Sequence, residues 1–196
     1  MNVGTNLKKQ SVEVDPAIVV KGMQDAIAGN KPLLTDEETR AVLMQLQEEA
    51  RQKQAAKAQS EGSANKTEGE AFLAANKTKE GVMTTPSGLQ YKILKAGTGP
   101  KPAATDTVVC NYRGTLLNGT EFDSSYKRGQ PLTFPVNGVS KGWTEALQLM
   151  PVGSKWQLFI PAQLAYGERG AGADIGPNAT LIFEVELVSI QAAKSQ

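Results

Sequence analysis

Aromatic side chains and one carboxylate recur through the second half of the chain, within segments typical of short β-strands and the turns between them. These residues are Tyr112, Phe122, Asp123, Trp143, Tyr166 and Phe183. The full sequence contains no histidine and a single cysteine, Cys110. It therefore offers no imidazole base, no zinc site of the usual spacing and no intramolecular disulfide. A rigid aromatic pocket with one acid suits a reaction that needs neither proton transfer nor a covalent intermediate.

Length and composition narrow the class of protein. A chain of 196 residues, 40% of them hydrophobic, is long enough for one large domain or two small ones. The net charge of +1 argues against nucleic acid as the main partner. No run approaches the roughly 18 consecutive apolar residues of a membrane span.

The first half of the chain has a pattern typical of helices. Asp15 followed by Pro16 predicts a helix start, and Gly29 predicts its end. Thr35 and Glu38 have the spacing of a capping box that opens a second, longer helix. The apolar stripes of the two predicted helices consist of Val19, Val20, Met23 and Ile27, and of Val42, Leu43, Leu46 and Ala50.

The second helix changes character along its length. From residue 51 to residue 66 it is polar on every face, which is typical of a helix that bridges solvent or is unstable alone. If the helix runs from residue 36 to about residue 75, it spans roughly 60 Å. Gly62 and Gly69 each weaken it by about 1 kcal/mol relative to alanine, so bending is expected there. The two stripes remain uncovered, which indicates either a partner chain or packing on the second half of the chain.

The second half of the chain, after a boundary near residues 81–88, is predicted to be antiparallel β-structure. Residues 89–96 form one expected strand, and apolar residues alternate along 108–114, 155–160 and 181–187. Alternation places Tyr112 on the same face as Cys110. Asn118 and Gly119 form a strong hairpin turn. Residues 143–150 fit one short helix, with Trp143 at its start as the floor of a pocket between helix and sheet.

Long stretches of this half resemble the FKBP family of peptidyl-prolyl isomerases. The resemblance runs through NYRGTLLNGTEFDSSYKRGQPLTF, VSKGWTEALQLMPVGSKWQLFIPAQLAYG and GPNATLIFEVEL, and covers roughly residues 86–190 in one register. VDPAIVVKGMQDAIAG, the TDEE helix and GEAFLAANKTKEGVMTTPSGLQYKIL resemble the macrophage infectivity potentiator subfamily of bacterial FKBPs.

The resemblance implies an α+β chain. Residues 81–196 would form the FKBP-type isomerase domain, a curved antiparallel β-sheet wrapped on a short helix. Residues 1–35 would form an all-helical dimerisation module whose first helix is truncated, and residues 36–80 a long connecting helix. The subfamily is typically exported to the periplasm or outer membrane, so the absence of a secretory signal at the N-terminus implies that the signal has been removed.

The resemblance also implies the site. Tyr112, Asp123 and Tyr166 would be catalytic, no metal or cofactor is expected, and proline-containing polypeptides and tacrolimus- or rapamycin-type macrolides would bind in the pocket. Leu132, Ser140 and Asp174 depart from residues common in the family. The expected binding residues are Phe122, Arg128, Leu132, Val139, Ser140, Trp143, Ile175 and Phe183.

Each key residue also has a purely structural interpretation. Trp143 and Tyr166 could be ordinary core residues, Asp123 could cap a turn, and Cys110 is expected to be a buried, inert thiol. At the level of function, a prolyl isomerase with chaperone activity competes with a non-enzymatic chaperone or an adhesion or virulence module, in which the pocket only recognises proline. The set of Tyr112, Asp123, Trp143 and Tyr166 favours the enzyme.

Overall fold

The computed structural model describes residues 15–31 and 33–191. The predicted end of a first helix, within residues 1–14, lies outside the described residues. The chain divides into two compact units, Met1–Lys57 and Ala58–Gln196, and each is described by itself.

Helix α1 of the first unit is Pro16–Ile27. The Asp15 carboxylate accepts a hydrogen bond of 2.8 Å from the Ala17 N–H, and Pro16 occupies the first turn, where its missing N–H costs nothing. Gly29 follows with a φ of 69°, a left-handed conformation that suits glycine. The predicted start and end of this helix are confirmed.

Helix α2 is Asp36–Asn76, and it begins at the predicted capping box. The Thr35 N–H donates to Glu38 Oε2 at 2.8 Å, and the Glu38 N–H donates to Thr35 Oγ1 at 3.2 Å. The helix ends at Asn76, close to the predicted end at about residue 75 and four residues before residue 80, the expected end of the connecting segment. The first strand, β1 (Val82–Thr84), begins soon afterwards.

Apolar side chains of the first unit are exposed. No residue of α1 is buried. The two predicted stripes are therefore uncovered along most of their length, and exposed large hydrophobic residues include Ile18, Val20, Met23, Ile27, Val42, Leu43, Met44 and Leu46.

The second unit is built on one antiparallel sheet. The strands are β1 (Val82–Thr84), β2 (Gln90–Lys95), β3 (Thr107–Leu116), β4 (Glu121–Ser124), β5 (Leu132–Pro135), β6 (Lys155–Ile160) and β7 (Leu181–Gln191). Their spatial order is β1-β2-β6-β7-β3-β4, and β5 pairs with β3. Strands β3 and β7 alternate between buried and partly buried residues over most of their length, as the sequence predicts.

A short helix, α3 (Lys141–Leu149), packs on this sheet. It buries Trp143, Ala146 and Leu147 in a core shared with β3, β6 and β7. Gly142 permits the close approach, because a methyl group at this position would lie 2.5 Å from Ile160 Cγ2. The predicted α+β class, with a sheet wrapped on one short helix and a helical N-terminal region, is confirmed.

The last part of α2 differs from its prediction. The sequence predicts a polar, solvent-bridging helix with bending points at Gly62 and Gly69. In the structure the helix is unbroken, and Gly62, Gly69 and Asn76 are buried within the second unit. Phe72 packs on Phe159, with ring centroids 5.8 Å apart. Glycine is a weak helix former, but here it removes the side chain that would otherwise block helix packing.

Candidate active site

One carboxylate is held between two donors at the edge of the sheet. The Tyr112 hydroxyl, on β3, donates to Asp123 Oδ2 at 2.6 Å. Arg128 Nη1 lies 2.6 Å from Asp123 Oδ1, and Arg128 Nη2 donates to the Tyr112 hydroxyl oxygen. Strand pairing explains the proximity: Asp123 on β4 lies opposite Gly114, two residues beyond Tyr112 on β3.

This cluster determines which groups are charged. Burial opposes the ionisation of Asp123, but the hydrogen bonds from Tyr112 and Arg128 and the positive charge of Arg128 outweigh it, so the pKa of Asp123 is lowered. Burial, and then the hydrogen bond to the carboxylate, raise the pKa of Tyr112 to about 12. Near neutral pH, Asp123 is therefore an anion and Tyr112 a neutral hydrogen-bond donor.

Trp143 lies beneath this carboxylate, among aromatic rings. Its indole is 6% exposed, and it meets Tyr112 edge-on at a centroid distance of 5.3 Å. Phe183 and Phe134 contact it edge-on at 5.2 and 5.6 Å. Such edge-to-face pairs stabilise one ring geometry. Trp143 is therefore a core residue that also lines the pocket.

Gly114 allows the outer aromatic wall to form. A methyl group at this position would lie 2.6 Å from the Phe183 ring and 2.7 Å from the Phe122 ring. Those two rings are packed edge-on, 5.5 Å apart. A larger residue in the middle of β3 would push the wall out of place.

A pocket of about 660 Å³ opens above Trp143. Tyr166 is 46% exposed at its mouth, which excludes the interpretation of Tyr166 as a core residue. Asp123 is not a simple turn cap, since its side chain is held by Tyr112 and Arg128. The sequence-predicted residues that line the pocket are Tyr112, Phe122, Asp123, Leu132, Val139, Ser140, Trp143, Tyr166, Ile175 and Phe183.

Arg128 is the exception among the predicted pocket residues. It is not part of the lining, and contacts the site through Asp123 and Tyr112 instead. Its guanidinium also lies over the Tyr112 ring, 5.5 Å from the centroid. Arg128 is thus placed to orient the carboxylate rather than to touch a ligand in the pocket.

Several lining residues were missed by sequence reasoning. Phe134 could have been found, because strand alternation places it on the same face as Leu132. The other missed residues lie mainly in turns and loops, where no periodicity marks a face. They are Gly138, Ala165, Ala171 and Gly172, together with Asp174, which was noted only as a departure from the family.

Three further properties of the described part of the chain concern metal binding, the reactivity of its thiol and membrane crossing. Among residues 15–31 and 33–191, no group of three or more His, Cys, Asp or Glu is arranged to hold a metal ion. Cys110 is fully buried, and burial raises the pKa of its thiol to about 12. No helix within these residues is long and apolar enough to cross a membrane.

Comparison with known proteins agrees with this geometry. Residues 99–188 match the family described as FKBP-type peptidyl-prolyl cis-trans isomerase, and residues 1–93 match the domain amino terminal to it. The chain is 50% identical to the outer membrane protein MIP of Legionella longbeachae, over 98% of this chain and 82% of that protein. It is 47% identical to the FKBP-type 22 kDa peptidyl-prolyl cis-trans isomerase of Escherichia coli K12, over 97% of this chain and 91% of that one.

A solved structure shows the same fold. The crystal structure of FkpA from Escherichia coli matches with a TM-score of 0.77 at 38% identity, covering 95% of this chain and 87% of that chain. The chain belongs to the FKBP-type peptidyl-prolyl cis-trans isomerase family, and its enzyme class is that of the family.

Proposed function

We propose that the pocket above Trp143 is the catalytic site, and that its substrates are X–Pro bonds in unfolded or partly folded polypeptides. The observation that carries this proposal is the Asp123 carboxylate, held by Tyr112 and Arg128 at the rim of an aromatic pocket. The pocket has room for a prolyl ring and its neighbours. Trp143 would receive the ring, and Phe122 and Phe183 would enclose it.

The chemistry follows from amide resonance. An X–Pro bond isomerises in tens to hundreds of seconds, since rotation must overcome a resonance barrier of about 18–20 kcal/mol. Resonance places negative charge on the amide oxygen, and the twisted transition state loses that charge separation. Water stabilises the polar planar form. Moving the amide into an aromatic pocket therefore lowers the barrier without acid–base chemistry.

The polar groups of the site would orient the amide. Tyr166 is exposed and lines the pocket, and its hydroxyl would donate a hydrogen bond to a substrate carbonyl oxygen. The Asp123 carboxylate would face the substrate carbonyl, and Arg128 and Tyr112 would each hold one of its oxygens in place. The backbone N–H of Ser140, at the start of α3, would bind a further carbonyl of the peptide.

A protease-coupled isomerisation assay on a Leu-Pro peptide tests this function directly. We expect acceleration of cis–trans exchange, and inhibition by a tacrolimus-type macrolide that competes for the pocket. A folded protein that binds proline peptides without accelerating exchange would instead support the non-enzymatic recognition module.

Leu132, 40% exposed on the pocket wall, leaves that wall more open than an aromatic residue would.

We further propose that the chain acts as a homodimer through its N-terminal helices. The support is the exposed apolar surface of α1 and of the start of α2, together with the match of residues 1–93 to the amino-terminal domain of the family. Two pockets joined in one dimer would raise the effective concentration of the second site on a bound client, which favours chaperone activity.

The proposed location is the periplasm or the outer membrane of a bacterium. A 50% identical relative named as an outer membrane protein supports this location. Fractionation of the native host tests it, with recovery of the protein in the cytosolic fraction as the contrary result.

A further inference from the structure

The buried face of α2 meets the segment that follows one wall of the pocket. Asn65 Nδ2 donates to the Pro177 carbonyl oxygen at 2.8 Å. In the opposite direction, Asn178 Nδ2 donates to the Gly62 carbonyl oxygen at 3.3 Å. Two reciprocal side-chain-to-backbone bonds therefore join the helix to residues 177 and 178.

The packing around these bonds leaves no room for an added methyl group. A Cβ at Gly62 would lie 3.0 Å from Pro177 Cβ, and a Cβ at Gly69 would lie 2.3 Å from Thr180 Oγ1. On the opposite side, a Cβ at Gly176 would meet only the end of the exposed Glu61 side chain, which can move aside. The close approach of helix and segment is therefore set on the helix side, at Gly62 and Gly69.

The same segment continues into the pocket. Ile175 and Ala171 line the pocket and pair with each other through N–H···O bonds of 2.8 and 3.1 Å. The Asn178 N–H donates at 2.8 Å to the carbonyl of Gly167, the residue after Tyr166. Asn178 has a φ of 56°, a left-handed conformation that few residue types other than Gly, Asn and Asp adopt. Asn178 therefore connects the helix to the turn that carries Tyr166, and it lies three residues along the chain from Ile175 of the wall.

We propose that Asn65, Gly62 and Gly69 of α2 are positioning residues of the isomerase pocket. They hold residues 176–180 against the helix, and through that segment they set the position of the wall formed by Ala171 and Ile175. The proposal rests on the proposed catalytic site, since the wall matters only if substrate binds there. It assigns to the end of the connecting helix a part in substrate binding, although no residue of α2 lines the pocket.

The first test removes the amide donor of Asn65. Asn65→Ala breaks the bond to Pro177, while Gln59→Ala removes an exposed amide from the same helix and serves as the matched control. We expect Asn65→Ala to raise KM for a Leu-Pro peptide about threefold to fivefold, with kcat within about twofold, because a displaced wall weakens binding of ground state and transition state alike. Gln59→Ala should leave both constants at the wild-type values.

Hydrogen exchange supplies a readout that does not depend on activity. In Asn65→Ala, the amides of Ala171, Ile175 and Asn178 should exchange faster, whereas those of β3 and β7 should not change. Equal exchange at these three amides in Asn65→Ala and Gln59→Ala would overturn the proposal. An unchanged KM would also overturn it.

A second test introduces a steric clash between α2 and residue 180 and then removes it with a second substitution. Gly69→Ala forces a methyl group against Thr180, so KM should rise as in Asn65→Ala. Thr180→Ala removes the blocking hydroxyl, so the double variant should recover most of the wild-type KM. Gly22→Ala, in α1 and with open space around it, controls for the gain in helix propensity. If the double variant had the same KM as Gly69→Ala, a steric clash with Thr180 would not be the cause of the raised KM.

The two proposals can fail separately. A wild-type protein without isomerase activity would overturn the proposed function. The exchange measurement would still decide whether α2 holds the wall in place.

Discussion

Asp123 combines exposure with a lowered pKa. Its side chain is 40% exposed, yet Tyr112 and Arg128 hold both carboxylate oxygens. A fixed anion at the rim of an aromatic pocket can orient a polar substrate group without exchanging a proton with it. The residue therefore contributes through its position and charge, and its removal should affect turnover more than folding.

Asp123→Ala should lower kcat/KM on the order of tenfold, equivalent to about 1.4 kcal/mol of transition-state stabilisation. Loss of the carboxylate also frees Tyr112 and Arg128 to move. Glu80→Ala, which removes an exposed carboxylate outside the pocket, is the control for general effects of charge. Unchanged kinetics in a folded Asp123→Ala protein would make Asp123 a structural residue.

Trp143→Leu should reduce activity only in part. Leucine keeps the pocket floor apolar, but it removes the ring area that three neighbouring aromatic residues contact. We expect kcat/KM to fall a few-fold, roughly 1 kcal/mol, and macrolide binding to weaken. Trp156→Leu is the matched control, because Trp156 is buried on Tyr91 outside the pocket. Equal losses in both variants would show that the effect comes from the core alone.

The rate should be nearly constant between about pH 6 and pH 9. Asp123, with its pKa lowered below the usual value of 3.8, stays ionised through this range. Tyr112 and Cys110, both with pKa raised to about 12, stay protonated. A bell-shaped rate profile near neutrality would contradict a mechanism without proton transfer.

The stability of the fold also depends on Asp123. Because the Asp123 pKa is depressed on folding, its contribution to stability is present above the unfolded pKa and is lost as the pH falls through the folded pKa.

At the scale of elements, α2 has two different surfaces. Its first part exposes apolar residues such as Leu43, whereas its last part buries glycines and Asn76 within the second unit. Asn76 Nδ2 donates to Gln90 Oε1 at 3.0 Å, and Gln90 Nε2 donates to the Leu73 carbonyl at 2.9 Å. The end of the helix therefore belongs structurally to the isomerase unit.

The boundary between the two units, which falls between Lys57 and Ala58, predicts how fragments of the chain behave. A fragment from Ala58 should fold with wild-type stability of its unit. A fragment from Gly81 keeps every residue that lines the pocket, but loses Phe72 from Phe159 and Asn76 from buried Gln90. We expect its free energy of unfolding to be lower by roughly 3 kcal/mol, from the lost packing of Phe72 and the lost hydrogen bonds between the end of α2 and the rest of the unit. Denaturant titration of both fragments measures the difference, and equal midpoints would contradict it.

At the scale of the whole molecule, the exposed stripes of α1 and α2 determine the assembly we expect. The apolar residues of α1 and of the start of α2 are exposed, and a contiguous exposed apolar surface is typical of a protein–protein interface. A second copy of the chain offers a matching surface by symmetry. The proposed homodimer would bury these stripes, and none of their residues lines the pocket.

Leu43→Asp should therefore shift the protein from dimer to monomer in sedimentation velocity. The monomer mass is 20.9 kDa. Gln47→Asp places the same charge on a polar position of the same helix and should leave the dimer intact. Peptide turnover should be unchanged in both variants, while refolding of a proline-limited client should slow with Leu43→Asp. A wild-type protein that sediments as a monomer at micromolar concentration would refute the dimer.

Local patterns in the sequence were enough to predict the helix caps, the alternation of β3 and β7, and the hairpin at Asn118 and Gly119, while the resemblance to a known family implied the class of fold. Each depends on residues a few positions apart, where spacing alone dictates which groups can meet. Short strands such as β1, β4 and β5 were missed, because three or four residues are too few to establish a period.

Only the tertiary structure decided the role of α2 and the loop wall of the pocket. Asn65 and Pro177 are 112 residues apart, and nothing near either position indicates the other. In the sequence Gly62 and Gly69 count only as poor helix formers, with a cost set by backbone entropy. In the folded chain they are contact points, because the absence of a side chain is what lets Pro177 and Thr180 approach the helix.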